Sequence, residues 1–179
     1  MNLLEISKFL SLASGITTIG LLLAIAFFLN DVEGKLGERA KALRNITAIA
    51  ALTWAIATGI SIVATLANIL GTDLSGAFDP TSLRSFISQI TLGKYMFAQL
   101  CLVLLVATIV ARIRGVAGAN ALLLLSLAAI IAPVFESHSA SSGSHALAIG
   151  SLVVHVVAIS LWVGGLVAIT FLKAQDRAL

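Results

Sequence analysis

Charge is scarce in this sequence. Only 11% of its 179 residues are Asp, Glu, Lys or Arg, against about a quarter in ordinary soluble domains, and 59% are apolar. With a mean hydropathy of +1.09, the composition excludes a soluble globular domain and places the chain in lipid. Cysteine is nearly absent. The single Cys101 sits within an apolar run, which excludes an intrachain disulfide and any Cys-pair metal site. The net charge of +3 does not point to nucleic acid, because the basic residues fall in short clusters between long apolar runs and form no basic face. There is no nucleotide loop, no nucleophile with a base beside it and no carboxylate pair at membrane depth, so the sequence is expected not to be an enzyme.

What is present is a series of apolar stretches. A helix needs roughly 20 mostly apolar residues to cross about 30 Å of hydrocarbon, and five segments qualify. They run from about Phe9 to Leu29, Ile46 to Leu70, Tyr95 to Ala111, Ala119 to Phe135 (ending near Pro133) and Ala146 to Leu172. All lack the alternation of a membrane barrel strand, so the expected class is all-α: one polytopic transmembrane helix bundle spanning residues 1–179.

Lys35, Arg39, Lys41, Arg44, Arg112, Arg114, Lys173 and Arg177 share one side of such a bundle, and only Lys8, Arg84 and Lys94 the other. This bias puts the N-terminus outside and the C-terminus in the cytoplasm of a bacterial inner membrane, with the lipid bilayer as partner. The stronger positive flank follows the first apolar run, so that run reads as a retained helix, not a signal peptide.

The outer connection, about residues 71–94, carries Leu83, Phe86, Ile87 and Ile90 at helical spacing behind Asp79-Pro80. Asp79 as cap and Pro80 as first residue predict a short interfacial helix on the outer face, which either covers the bundle or does more.

The three histidines are the most informative polar residues, and none falls on the cytoplasmic side. His138 and His145 bracket a Ser/Gly-rich outer loop, about residues 136–145, which also holds Glu136. Two imidazoles and a carboxylate make a nitrogen and oxygen metal site if the loop gathers them, and otherwise are solvated loop residues. His155 lies ten residues into the fifth span, about 15 Å deep, where an ionisable side chain is a functional candidate or else hydrogen-bonds a Ser or Thr on a neighbouring helix. Trp162 follows seven residues later on the same face, and Gly164-Gly165 permit close helix contact. Met96, at the outer start of the third span, offers a thioether of the kind that selects cuprous copper; it and Cys101 otherwise simply pack. Asn68 and Gln99 are polar at membrane depth and are expected to bond between helices.

The run His138, His145 and His155-Val-Val-Ala-Ile-Ser-Leu-Trp162-Val-Gly164-Gly165-Leu166 resembles the CopD family of bacterial copper-resistance membrane proteins. In particular it is similar to the actinobacterial form in which a CopD-like half is fused to a CtaG-like oxidase-assembly half. Phe78-Asp79-Pro80, Leu83-Arg84-Ser85-Phe86 and Leu92-Gly93-Lys94 carry the same likeness. The resemblance covers roughly Gly71 to Leu172, and the first two spans agree only in being apolar. Family members continue with further spans, so it implies a chain truncated at its C-terminal end.

The resemblance implies a protein that binds copper at the outer face and passes it into or across the cytoplasmic membrane, for uptake, resistance or oxidase assembly. His138, His145 and Glu136 would capture copper and Met96 would assist. His155 would relay the ion, and Trp162, Gly164 and Gly165 would shape the helix contact beside it. Two other readings stand beside this one. The chain could be an accessory subunit of a respiratory complex or oxidase assembly with no metal of its own, which Ser11-x3-Gly15 and Gly164-x3-Ala168 allow. A b-type haem subunit ranks below both, because only His155 lies within a span.

Overall fold

The computed structural model describes residues 2–29, 35–135 and 145–176, with the side chains of residues 145, 146, 175 and 176 left aside. Seven helices make up the described chain: α1 (Leu3–Phe27), α2 (Glu38–Leu70), α3 (Leu74–Ala77), α4 (Pro80–Gln89), α5 (Thr91–Val110), α6 (Val116–Ile131) and α7 (His145–Asp176). A 3-10 turn over Ala132–Phe135 follows α6. Among the described residues there is no strand. Five segments are long and apolar enough to cross a membrane: α1, α2, α5, α6 with its 3-10 turn, and α7. The chain is a multi-pass membrane protein.

Local chemistry sets the helix ends. Asn2 and Glu5 form a reciprocal capping box, the Glu5 N–H donating to Asn2 Oδ1 at 2.9 Å and the Asn2 N–H to Glu5 Oε2 at 3.1 Å. Gly71 closes α2 in the left-handed conformation at φ 65°, which only a residue without Cβ adopts freely. Asp79 caps α4 as its sequence predicts, accepting from the Ser82 N–H at 2.8 Å with Pro80 in the first turn.

The boundaries move where charge misleads. Apolarity alone starts the second span near Ile46, but α2 begins eight residues earlier at Glu38. Those added residues form a polar turn and more that continue the helix past the hydrocarbon, since backbone hydrogen bonds do not require apolar side chains. Residues 116–118, which lie between the third and fourth apolar stretches of the sequence, already belong to α6.

Helix α1 is the central element, packed against α2, α6 and α7, with Ile19, Leu21, Leu22 and Ile25 fully buried. Val103, Val106 and Val110 of α5 and Leu122 and Leu123 of α6 complete that core. Helix α7 is peripheral: 17% of its apolar window is buried, against half of α1's. Phe9, Ile49, Leu104, Leu124 and Leu147 face outward, as lipid-facing residues must.

One end of the bundle carries the start of α1, α4 and the 3-10 turn. There Phe86 of α4 is buried against Ile62, Leu66 and Met96, so α4 roofs that end of the bundle. Tyr95 and Phe135 stack with ring centroids 6.0 Å apart. The opposite end is tied by Arg44 Nη1 donating to the Ile113 carbonyl at 3.1 Å and the Leu36 N–H to the Arg114 carbonyl at 3.3 Å. Lys35, Arg39, Lys41 and Arg44 therefore gather beside Arg112 and Arg114.

Candidate functional site

The sequence candidates separate in the structure. Glu136 and His138 lie outside the described residues, and His145 contributes only its backbone, as the first residue of α7. Among the described residues no three His, Cys, Asp or Glu side chains come together as a metal-binding group. His155 is exposed on α7, on the outward side that also carries Val154 (68% exposed) and Trp162 (69%). Among the described residues it has no hydrogen-bond partner. Gly164 turns the other way, into α1, while Gly165 and Trp162 line a shallow apolar groove with Leu23, Ala24 and Phe28. Cys101 is exposed and apart from all of these.

Met96 has a different setting. It lines a partly open cavity of about 320 Å³ near the α4 end of the bundle, bounded by residues of α1, α2, α5, α6, the 3-10 turn and α7. Gln99, one turn along α5, lines it too, and both residues are buried. Gln99 therefore reaches a cavity in place of the interhelical bond expected of it, and Asn68 is exposed at the end of α2. Val156, the neighbour of His155, forms part of the wall.

The polar side of this cavity comes from α2. Trp54, Thr58, Ser61 and Thr65 all line it, at successive spacings of four, three and four residues. At about 100° per residue this spacing keeps them within about 60° of one another on one face. Opposite them, α1 supplies Lys8 and Ser11, and Ser11 Oγ and Thr58 Oγ1 share a hydrogen bond of 2.9 Å. Gly15 lets the Trp54 ring seat against α1, since a Cβ there would lie 2.9 Å from the indole.

Hydroxyls in lipid-buried helices ordinarily bond back to a carbonyl of their own helix. Thr17, Thr18, Thr47 and Ser160 all do so. Ser61 and Thr65 do not. Their hydroxyls and the Trp54 Nε1–H are buried without a partner among the described residues, three of five such side-chain atoms, and all three residues line this one cavity. An unmet buried polar group costs about 1–3 kcal/mol, so a polar partner reaching these atoms would stabilise the wall.

Sequence reasoning missed this stripe. Each Ser and Thr is unremarked in a membrane helix; the usable signal was their single helical face together with Trp54.

Comparison with curated proteins and with solved structures finds no match. A family match, however, covers residues 2–147, from α1 to the start of α7. It takes in the first two spans, which the residue-level likeness did not reach, and ends before His155. It therefore includes the whole α2 stripe, Met96 and Gln99. On that match the chain belongs to the family described as Copper resistance protein D-like, N-terminal domain.

Proposed function

We propose that this copper-resistance-related membrane protein handles copper itself, binding it at the outer face of a bacterial cytoplasmic membrane and passing it inward for uptake, resistance or oxidase assembly. The observation that carries this reading is the family match over residues 2–147, on a chain whose five apolar helices fit a bilayer. The clustering of Lys35, Arg39, Lys41, Arg44, Arg112 and Arg114 at one end supports an orientation with the α4 end outside. Copper is cargo here, and no catalytic step is assigned to the chain.

The residues proposed to meet the ion first are His138, His145 and Glu136. Met96 fits a supporting part: it is buried in a cavity wall at the same end, and its thioether suits cuprous copper. His155, alone among ionisable side chains within α7's apolar run, is the proposed relay.

Metal analysis of the detergent-purified protein, with and without added cuprous copper, tests the proposal. Stoichiometric copper that is lost in a His138→Ala/His145→Ala double variant supports it. Absence of bound copper, together with co-purification of respiratory subunits, would replace it with the accessory-subunit reading.

A further inference from the structure

The α2-lined cavity has a hydrogen-bonding character that copper does not explain. Trp54 Nε1–H can only donate, Lys8 can only donate and carries positive charge, and the hydroxyls of Ser61 and Thr65 are free to donate. Among the described residues no aspartate or glutamate lines the cavity, so a bare cation entering it would find the Met96 thioether, the Gln99 amide oxygen, hydroxyl oxygens and the positive charge of Lys8. An occupant that brings acceptors and negative charge would satisfy all three unmet polar groups and pair with Lys8.

We infer that this cavity binds a small monovalent anion, halide or short carboxylate, with the Trp54 indole N–H and the Ser61 and Thr65 hydroxyls as donors and Lys8 as the counter-charge. The volume of about 320 Å³ is ample for either. Lys8 is exposed at the rim, near the start of α1, and gives an entering anion a positive charge that water alone would not draw on. The inference goes beyond the copper reading and does not rest on it.

Trp54 is a built-in reporter. The chain has two tryptophans, so Trp162→Phe leaves Trp54 as the sole indole. Trp54 is fully buried, and a charged quencher reaches such a ring only by entering the cavity. In copper-free buffer, iodide is expected to quench Trp54 along a saturating curve that chloride and acetate shift by competition. Lys8→Gln, and separately Ser61→Ala with Thr65→Val, should each weaken apparent iodide affinity about tenfold, the scale of one lost hydrogen bond to a charged group.

As a check by a second readout, sodium chloride should raise the melting temperature of the wild type more than that of Lys8→Gln at equal ionic strength. Linear quenching unaffected by the substitutions, no quenching at all, or equal stabilisation of both proteins by chloride would each overturn the assignment and leave a cavity filled by water only.

Discussion

A Cβ placed on Gly20 would lie 1.9 Å from the carbonyl oxygen of Gly164, and one on Gly164 would lie 2.9 Å from the Cα of Gly20. Helices α1 and α7 thus meet backbone to backbone. In lipid, where apolar side chains gain nothing by leaving the solvent, such close van der Waals packing holds helices together. It fixes peripheral α7, and with it His155, to the central helix.

Gly20→Leu should therefore destabilise the protein by about 1–3 kcal/mol or displace α7, the range for overfilling a tight contact. Gly165→Ala is the control, because its Cβ would meet only Leu23 Cδ2 at 3.9 Å. Thermal unfolding in detergent, with cross-linking between α1 and α7, checks both. Equal tolerance of the two substitutions would show that the contact is looser than described.

Ser11 and Thr58 join α1 to α2 through one buried hydrogen bond of 2.9 Å. A double-mutant cycle with Ser11→Ala and Thr58→Val should give a coupling of about 0.6 kcal/mol, since the membrane-embedded unfolded state also finds partners. A coupling near zero would mean that each hydroxyl is as well served alone.

Thr65→Val is expected to act in the opposite sense to Thr47→Val. Thr47 bonds its own Leu43 carbonyl at 2.8 Å, so its removal costs stability, whereas the Thr65 hydroxyl has no partner among the described residues. Removing it without added anion should raise stability by up to about 1 kcal/mol. Chloride-dependent stabilisation should weaken at the same time. Chemical or thermal unfolding of the two variants decides the sign.

The spans were legible because about 20 apolar residues in a row have few other uses, and the start of α4 because Asp79-Pro80 carries its own cap. Two things were not. The first turns of α2 are hidden by Glu38, Arg39, Lys41 and Arg44, whose charges mark a membrane boundary without marking a helix end. The cavity is hidden because hydropathy averages over a helix, so four residues on one face of α2 vanish among their apolar neighbours. His155 was legible as an ionisable residue at depth, but which side of α7 it faces follows from Gly164 packing on Gly20, a contact between distant segments.

The Asp79 carboxylate lies below the usual aspartate range because the Ser82 backbone N–H, then the Ser82 hydroxyl, stabilise its charged form. A folded-state value below the unfolded one adds stability at pH above the unfolded value, and that contribution is lost as pH falls through the lowered value. The start of α4 should therefore loosen only below about pH 4. Hydrogen exchange at Ser82 and Leu83, corrected for intrinsic rates, should show protection falling in that acid range. Asp79→Asn, which keeps an acceptor oxygen but cannot titrate, should remove the pH dependence. The same curve in both proteins would assign the loosening to another group.

His155 supplies the sharpest separation of stability from function. It is exposed on α7 and, among the described residues, has no hydrogen-bond partner, so no protein contact there offsets the cost of a polar ring in hydrocarbon. His155→Leu should leave thermal stability unchanged or raise it, while abolishing copper-dependent accumulation in cells that carry the protein. A loss of stability would reveal a partner supplied by another subunit or segment. Unchanged accumulation with unchanged stability would remove His155 from the copper path and leave the outer histidines and Met96 to account for copper handling.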